Sequence, residues 1–147
     1  MTAQTNATLI RSLFTAFNTR KLNELVKHMS PKVEWRNMAT GEVFKGPDGV
    51  RKFLESWISA FEDIRLDVRH MAATDQHVAT EFGARATHTA TLETPNGPLP
   101  ATNRKVDLAL CELATIENGK ITSIRTYYDS ATMMAQLGVT ELAGANK

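Results

Sequence analysis

Hydrophobic residues near the start of the chain fall at helical spacing. Ile10, Leu13, Phe14 and Phe17 recur three and four positions apart, which predicts an amphipathic helix over about residues 5–18. Leu22, Leu25, Val26 and Met29 repeat the spacing in a second, shorter helix. Pro31 should end it, because the ring clashes with another helical turn and offers no N–H. About residues 33–38 alternate and carry Trp35, the mark of a short strand. Gly46-Pro47-Asp48-Gly49 then makes a turn with Asp48 as a cap. The helix beyond it gathers Val50, Phe53, Leu54, Trp57, Ile58 and Phe61 into one wide apolar stripe.

After residue 63 the pattern suits strands, over about residues 64–73, 77–92, 105–116 and 120–128. Thr74-Asp75-Gln76 is too short for a crossover, residues 93–103 form a Pro/Gly-rich loop, and Asn118-Gly119 is a strong hairpin signal because both residues tolerate positive φ. Helices first and a meander afterwards predict one α+β domain over residues 1–147, with the N-terminal helices packed on a curved antiparallel sheet.

The faces of the strands bear on chemistry. Val78, Thr80, Phe82, Ala84, Ala86 and His88 share one face of the long strand. The small Ala84 and Ala86 leave space there, so an apolar cavity is expected with His88 pointing into it. Its imidazole would then polarise a carbonyl or carry a proton; otherwise it is a core histidine satisfied by backbone or threonine. Glu112 interrupts the apolar run from Leu108 to Ala114. Since burial without a partner is costly, it lines a pocket, pairs with Arg85 or Arg125, or sits on a solvated rim. The last strand stops at Asp129, just before Met133, Met134 and Leu137. Asp129 is either the N-cap of that short helix or an acid held among apolar walls, its pKa raised toward a value useful for proton abstraction. Arg125 and Tyr127 share its face and would flank it or a substrate oxygen, unless Arg125 is an ordinary surface cation.

Composition narrows the classes. A chain of 147 residues suits one domain that buries roughly 68–70% of its unfolded surface, enough for a core and a pocket. Seventeen basic against sixteen acidic side chains, with no basic run, argue against nucleic acid. No apolar stretch approaches the roughly 20 residues of a membrane span, and residues 1–6 lack the regions of a signal peptide, so a cytoplasmic location is expected. The lone Cys111 cannot form an internal disulfide and reads as a buried, inert thiol. His28, His70, His77 and His88 show no metal-ligand spacing, and nucleotide, P-loop and serine-hydrolase motifs are missing. Neither metal nor cofactor is expected, and any catalysis would use side chains alone.

Several segments together resemble a known family. Gly46-Pro47-Asp48-Gly49-Val50-Arg51-Lys52-Phe53-Leu54 and Ala60-Phe61-Glu62-Asp63-Ile64-Arg65-Leu66 are similar to the helix-to-strand segment of the SnoaL-like polyketide cyclases. Ala86-Thr87-His88-Thr89 is similar to that family's central-strand Thr-His-Thr. Pro100-Ala101-Thr102-Asn103-Arg104-Lys105-Val106 resembles its Pro-x-Thr-Gly-Arg-x-Val, with Asn103 in place of the usual glycine. Ile116-Glu117-Asn118-Gly119-Lys120-Ile121, Tyr127-Tyr128-Asp129 and Gln136-Leu137-Gly138 resemble its terminal hairpin and tail.

The resemblance implies a cone-shaped α+β barrel of the nuclear transport factor 2-like superfamily around an apolar cavity. It implies an intramolecular aldol condensation of a polyketide ester without metal or cofactor, with the acid matching Asp129 as general acid/base. The family's second polar partner on the central strand has no clear counterpart, since Leu113 and Thr115 stand near its place. The related limonene-epoxide-hydrolase-like proteins share part of the terminal pattern in Ile124-Arg125-Thr126-Tyr127-Tyr128-Asp129, but their Arg-x-Asp is here Arg85-Ala86-Thr87. A non-catalytic binder of small apolar molecules is the third reading. The site expected from all this comprises Asp129 and His88 as catalytic residues and Trp35, Trp57, Phe61, Arg85, Glu112 and Tyr127 around the substrate. The expected partners are a small apolar molecule and a second copy in a homodimer.

Overall fold

The computed structural model describes residues 2–139. Helix α1 (Ala3–Asn18) starts in a capping box between Thr2 and Thr5 and buries Ile10, Leu13, Phe14 and Phe17 as their spacing predicts. Helix α2 (Leu22–Val26) is shorter than expected, because Met29 already opens strand β1 (Met29–Asn37). Pro31 therefore lies inside a strand rather than ending a helix. It falls where the register slips between Met29 and Glu34, an interruption in which a residue without an N–H costs little. Strand β2 (Val43–Lys45), not foreseen, pairs with β1 and leads directly into α3 (Gly46–Ala60). Asp48 sits in the first turn of α3 and does not cap it. Lys45 holds the cap position without a side-chain bond, and Pro47 occupies the first turn, where its missing N–H is harmless.

Strands β3 (Arg65–Ala73) and β4 (His77–Thr87) are joined by the expected short turn. β4 stops at Thr87, five residues early, because the next amides bond elsewhere: His88 donates to Arg104 O, and Thr89 and Ala90 donate to Ala60 O. Within the expected loop, β5 (Leu92–Thr94) and β6 (Gly97–Leu99) form a small hairpin of their own. Strands β7 (Lys105–Glu117) and β8 (Lys120–Tyr128) meet at Asn118 and Gly119, with φ of 52° and 75°. Asn103 also adopts positive φ, 59°, so the asparagine fills the conformational role of the glycine it replaces. Helix α4 (Ser130–Gln136) follows and sends Met133 and Leu137 into the core. The Gln136 amide fixes its far end by accepting from Asp107 N at 2.8 Å and donating to Asp107 O at 3.0 Å.

The main sheet has the order β2-β1-β8-β7-β4-β3, and β1 runs parallel to β8. It is thus mixed rather than wholly antiparallel, and its edges, β2 and β3, do not meet to close a barrel. The reason is connectivity. A hairpin fixes an antiparallel pair, whereas β1 and β8 are separated by most of the chain and are free to run alike. Register shifts between Val68 and His70 and between Thr115 and Ile116 bend the sheet. Helix α1 packs against β3 and β4, and α3 against β1, so one sheet face is covered and the other faces outward. Among the described residues no helix is long and apolar enough to cross a membrane.

One-sided cover decides where each residue of the apolar run in β7 goes. Leu108, Glu112 and Ala114 are buried, while Cys111 lies on the outer face and is exposed. The inert buried thiol is corrected accordingly. An apolar run suggested burial on both faces, but only one face has helices over it.

Candidate active site

Between the helices and the inner sheet face lies a cavity of about 110 Å³. Its walls are aromatic: Phe14 and Phe17 from α1, Phe53 and Trp57 from α3, Phe61 just beyond it, and Trp35 and Phe82 from the sheet. Ala84 and Ala86 line it as their small size suggested. Trp57 stacks on Phe61 with ring centroids 5.8 Å apart and meets Tyr128 edge-on at 6.2 Å. A second depression of about 490 Å³, flanked by the β5–β6 hairpin, adjoins the first. Phe53, Trp57, Tyr128 and Met133 border both, so these four side chains stand between the inner cavity and the larger space, the vestibule.

A polar row crosses this apolar interior. The β-ladders set Thr80 opposite Glu112, Glu112 opposite Thr126, and Thr126 opposite Asn37, and all four are buried. Trp35 Nε1 donates to Thr126 Oγ1 at 2.8 Å, and Asn37 Nδ2 donates to the Tyr128 hydroxyl at 3.1 Å. Thr80 Oγ1 has no partner among the described residues. Glu112 is 5% exposed and borders the cavity. Burial alone pushes its carboxyl up to about 7, because among the described residues neither a cation nor a hydrogen bond stabilises the ionised form. Such an acid is half ionised near neutral pH, which suits proton transfer in either direction.

The expected site residues divide cleanly. Trp35, Trp57, Phe61 and Glu112 border the cavity. Arg85 and Tyr127 do not; strand alternation turns both outward, where Arg85 is exposed and Tyr127 is 43% exposed. Tyr128, one position on, takes the inner place. Its parity with Ile124 and Thr126 was the available signal.

His88 is fully buried outside the cavity lining. Its Nδ1 accepts from Thr102 N–H at 3.2 Å and lies 3.1 Å from Thr102 Oγ1, while its ring lies 5.1 Å from that of Phe61. Burial holds the imidazole below its ordinary value, against the opposing effect of the Ala90 backbone. The neutral ring therefore anchors the segment after β4: of the two readings, the core histidine held by a threonine stands, and the imidazole does not line the cavity.

Asp129 departs furthest from expectation. It is exposed, and its carboxylate caps α4 by accepting from Thr132 N at 3.1 Å and Thr132 Oγ1 at 2.7 Å. Those bonds lower its pKa, the Thr132 hydroxyl contributing most. The desolvated acid at the end of the last strand is thus corrected to a helix cap, and the desolvated carboxyl belongs to Glu112. A depressed carboxyl stabilises the fold above its unfolded pKa and loses that contribution as pH falls through its folded one. Asp129→Ala should lower the melting temperature by roughly 2–4 °C at neutral pH, less at acid pH, which thermal denaturation across pH checks. Among the described residues no three His, Cys, Asp or Glu side chains gather as metal ligands.

The profile of the family described as SnoaL-like polyketide cyclase matches residues 7–137. The chain belongs to that family. Solved structures agree on the fold. The SnoaL-like chain superposes on a SnoaL-like polyketide cyclase candidate from Jannaschia sp. CCS1 with a TM-score of 0.84 at 13% identity, covering 95% of each chain. IdmH of Streptomyces antibioticus, a candidate polyketide cyclase, gives 0.73 at 26% identity, covering 90% of this chain and 98% of that one. TerC, co-crystallised with polyporic acid, gives 0.71 at 18% identity, with 90% and 98% covered. The fold is thus that of the nuclear transport factor 2-like superfamily, here with a mixed, open sheet. No curated protein matches the SnoaL-like chain in sequence.

Proposed function

We propose that this SnoaL-like protein is a cofactor-independent acid/base enzyme that enolises a small apolar carbonyl compound, in the manner of a polyketide ester cyclase closing a ring by intramolecular aldol condensation. The observation that carries the reading is Glu112, a carboxyl without a partner on the wall of an aromatic cavity. In its ionised form Glu112 removes a proton next to the carbonyl. The aromatic walls hold the remainder of the molecule folded for carbon–carbon bond formation. TerC, similar in fold, was co-crystallised with polyporic acid, which supports a small-molecule ligand for this protein. An epoxide-hydrolase reading fits less well, since activating water and protonating an epoxide call for two carboxyls, and among the described residues Glu112 is the one carboxyl bordering the inner cavity.

The test uses the minimal reaction. 2-Tetralone in D₂O, followed by NMR, should exchange its α-protons faster with the protein than without it, with a rate that rises through pH 7 as Glu112 ionises. Glu112→Gln should abolish the excess, and Asp129→Asn should retain it. Equal exchange by the wild type and Glu112→Gln would end the assignment of Glu112.

The outer sheet face, where Ala109, Cys111 and Tyr127 are exposed, supports pairing with a second copy. Light scattering should then give twice the chain mass, and the mass of one chain would refute it.

A further inference from the structure

Tyr128 stands where the inner cavity meets the vestibule, and its hydroxyl proton is unspent. Asn37 explains why. The Asn37 side-chain oxygen accepts from the backbone N–H groups of Ala39 at 3.0 Å and Thr40 at 3.3 Å. Two fixed donors leave one orientation for the amide, so Nδ2 must be the atom that meets the Tyr128 oxygen. Tyr128 thus receives a hydrogen bond and, among the described residues, gives none. Its own O–H remains free for a group in the cavity or the vestibule. Asn37 is 2% exposed, so the device is built into the core and is no chance surface contact.

Tyr128 and Glu112 lie on the same inner face. The ladder sets Glu112 opposite Thr126 and Leu110 opposite Tyr128, which makes Glu112 and Tyr128 diagonal neighbours, with roughly 7–8 Å between their backbones. Side chains of this length can reach a few bonded atoms from both ends. Among the described residues no Lys, Arg or His borders the inner cavity, so a carboxylate or phosphate would find no counter-charge there; Lys52 borders only the vestibule.

We propose that Tyr128 is a second catalytic residue, the hydroxyl donor to the oxygen of an enolising carbonyl, and that the substrate is an uncharged carbonyl compound with this oxygen toward the vestibule and its α-carbon toward Glu112. The proposal rests on the proton-transfer reading of Glu112 and names the partner and substrate class of that site. When the Glu112 carboxylate takes the α-proton, the C–H electron pair moves into the carbonyl and the oxygen becomes negative. Tyr128 lends its hydrogen bond to that oxygen and keeps its proton, while Asn37 polarises the phenol by donating to it. The proton held by Glu112 returns to carbon, or to the alkoxide formed once the carbanion has attacked a second carbonyl. Burial raises the phenol above its ordinary value, Asn37 works against that rise and Glu42 adds to it, so Tyr128 stays a protonated donor through neutral pH.

Tyr128→Phe deletes the oxygen and leaves the ring, so the fold should persist. In the 2-tetralone exchange assay the variant should lose about 10²–10³-fold in turnover at saturation, with KM almost unchanged. Binding supplies a readout independent of turnover. 2-Naphthol, the aromatic counterpart of the enol, should quench Trp35 and Trp57 fluorescence at about tenfold lower concentration than naphthalene with the wild type. With Tyr128→Phe the two ligands should bind alike, at the wild-type affinity for naphthalene. Wild-type exchange and naphthol preference in Tyr128→Phe would overturn the role of Tyr128 while leaving Glu112 its own, provided Glu112→Gln is still inactive. If neither substitution changes exchange, the proton-transfer reading falls as well.

Discussion

Glu112→Gln should make the protein more stable while abolishing the proton transfer proposed above. In the folded chain the Glu112 carboxyl titrates at about 7, against an ordinary value of 4.5, because burial penalises its charge. Between those two values the unfolded chain has released this proton while the folded chain retains it. More protons are then bound to the native state, so stability falls as pH rises through this window, and the penalty is complete above pH 7. At about 1.4 kcal/mol per pH unit the penalty amounts to about 3 kcal/mol. Glutamine has no charge to desolvate. At pH 8 the variant should melt roughly 6–12 °C above the wild type, a margin that vanishes by pH 4, where both forms of the glutamate are protonated. Calorimetry at the two pH values measures it. A gain independent of pH, or a loss at pH 8, would show that Glu112 is not the desolvated acid. A residue whose removal stabilises the fold is one retained for another purpose, and the proposed proton transfer supplies one.

Phe61→Ala should be the most damaging substitution in the cavity wall. Phe61 is 1% exposed, its N–H closes the last turn of α3 on Trp57 O at 2.9 Å, and its ring packs between Trp57 and His88. Truncation removes this ring from a site already beside empty space, so neighbours have little reason to collapse inward. A loss of about 3–5 kcal/mol is expected, on the order of 10 °C in melting temperature. The substitution should also admit water to His88. The buried imidazole, now held low, should move back toward its ordinary value, which NMR titration of its ring protons would follow. In the wild type this depressed histidine withdraws stability as pH falls through its unfolded value, because the unfolded chain then binds the proton more readily. Phe61→Ala should flatten that part of the stability profile. A loss under 1 kcal/mol would mean that the cavity wall is more pliable than its packing implies.

Several elements were legible from local pattern because their cause is local. The positive φ of Asn118 and Gly119 is a property of two residues, and the hairpin they predict is present. The stripes of α1 and α3 needed only helical periodicity. The cap formed by Asp129 is also local, since it joins residues three apart. Where distant segments compete, the pattern fell short. Met29 continues a helical spacing yet pairs with Ile121 in a sheet. Tyr127 and Tyr128 are chemically alike and adjacent, and only the identity of the covered face tells which meets the cavity.

Local pattern sufficed for α1, α3, the meander and the alternation that sets Thr80 with Phe82 on one face of β4 and Glu112 with Leu108 on one face of β7; the ladder then brings those faces together. The sequence also supplied the motifs that placed the chain among SnoaL-like proteins. Which carboxyl loses water depended on packing between distant segments. Asp129 and Glu112 both stand beside apolar residues in sequence, but desolvation depends on what packs over a side chain in space, and α1 and α3 enclose Glu112 while Asp129 faces solvent.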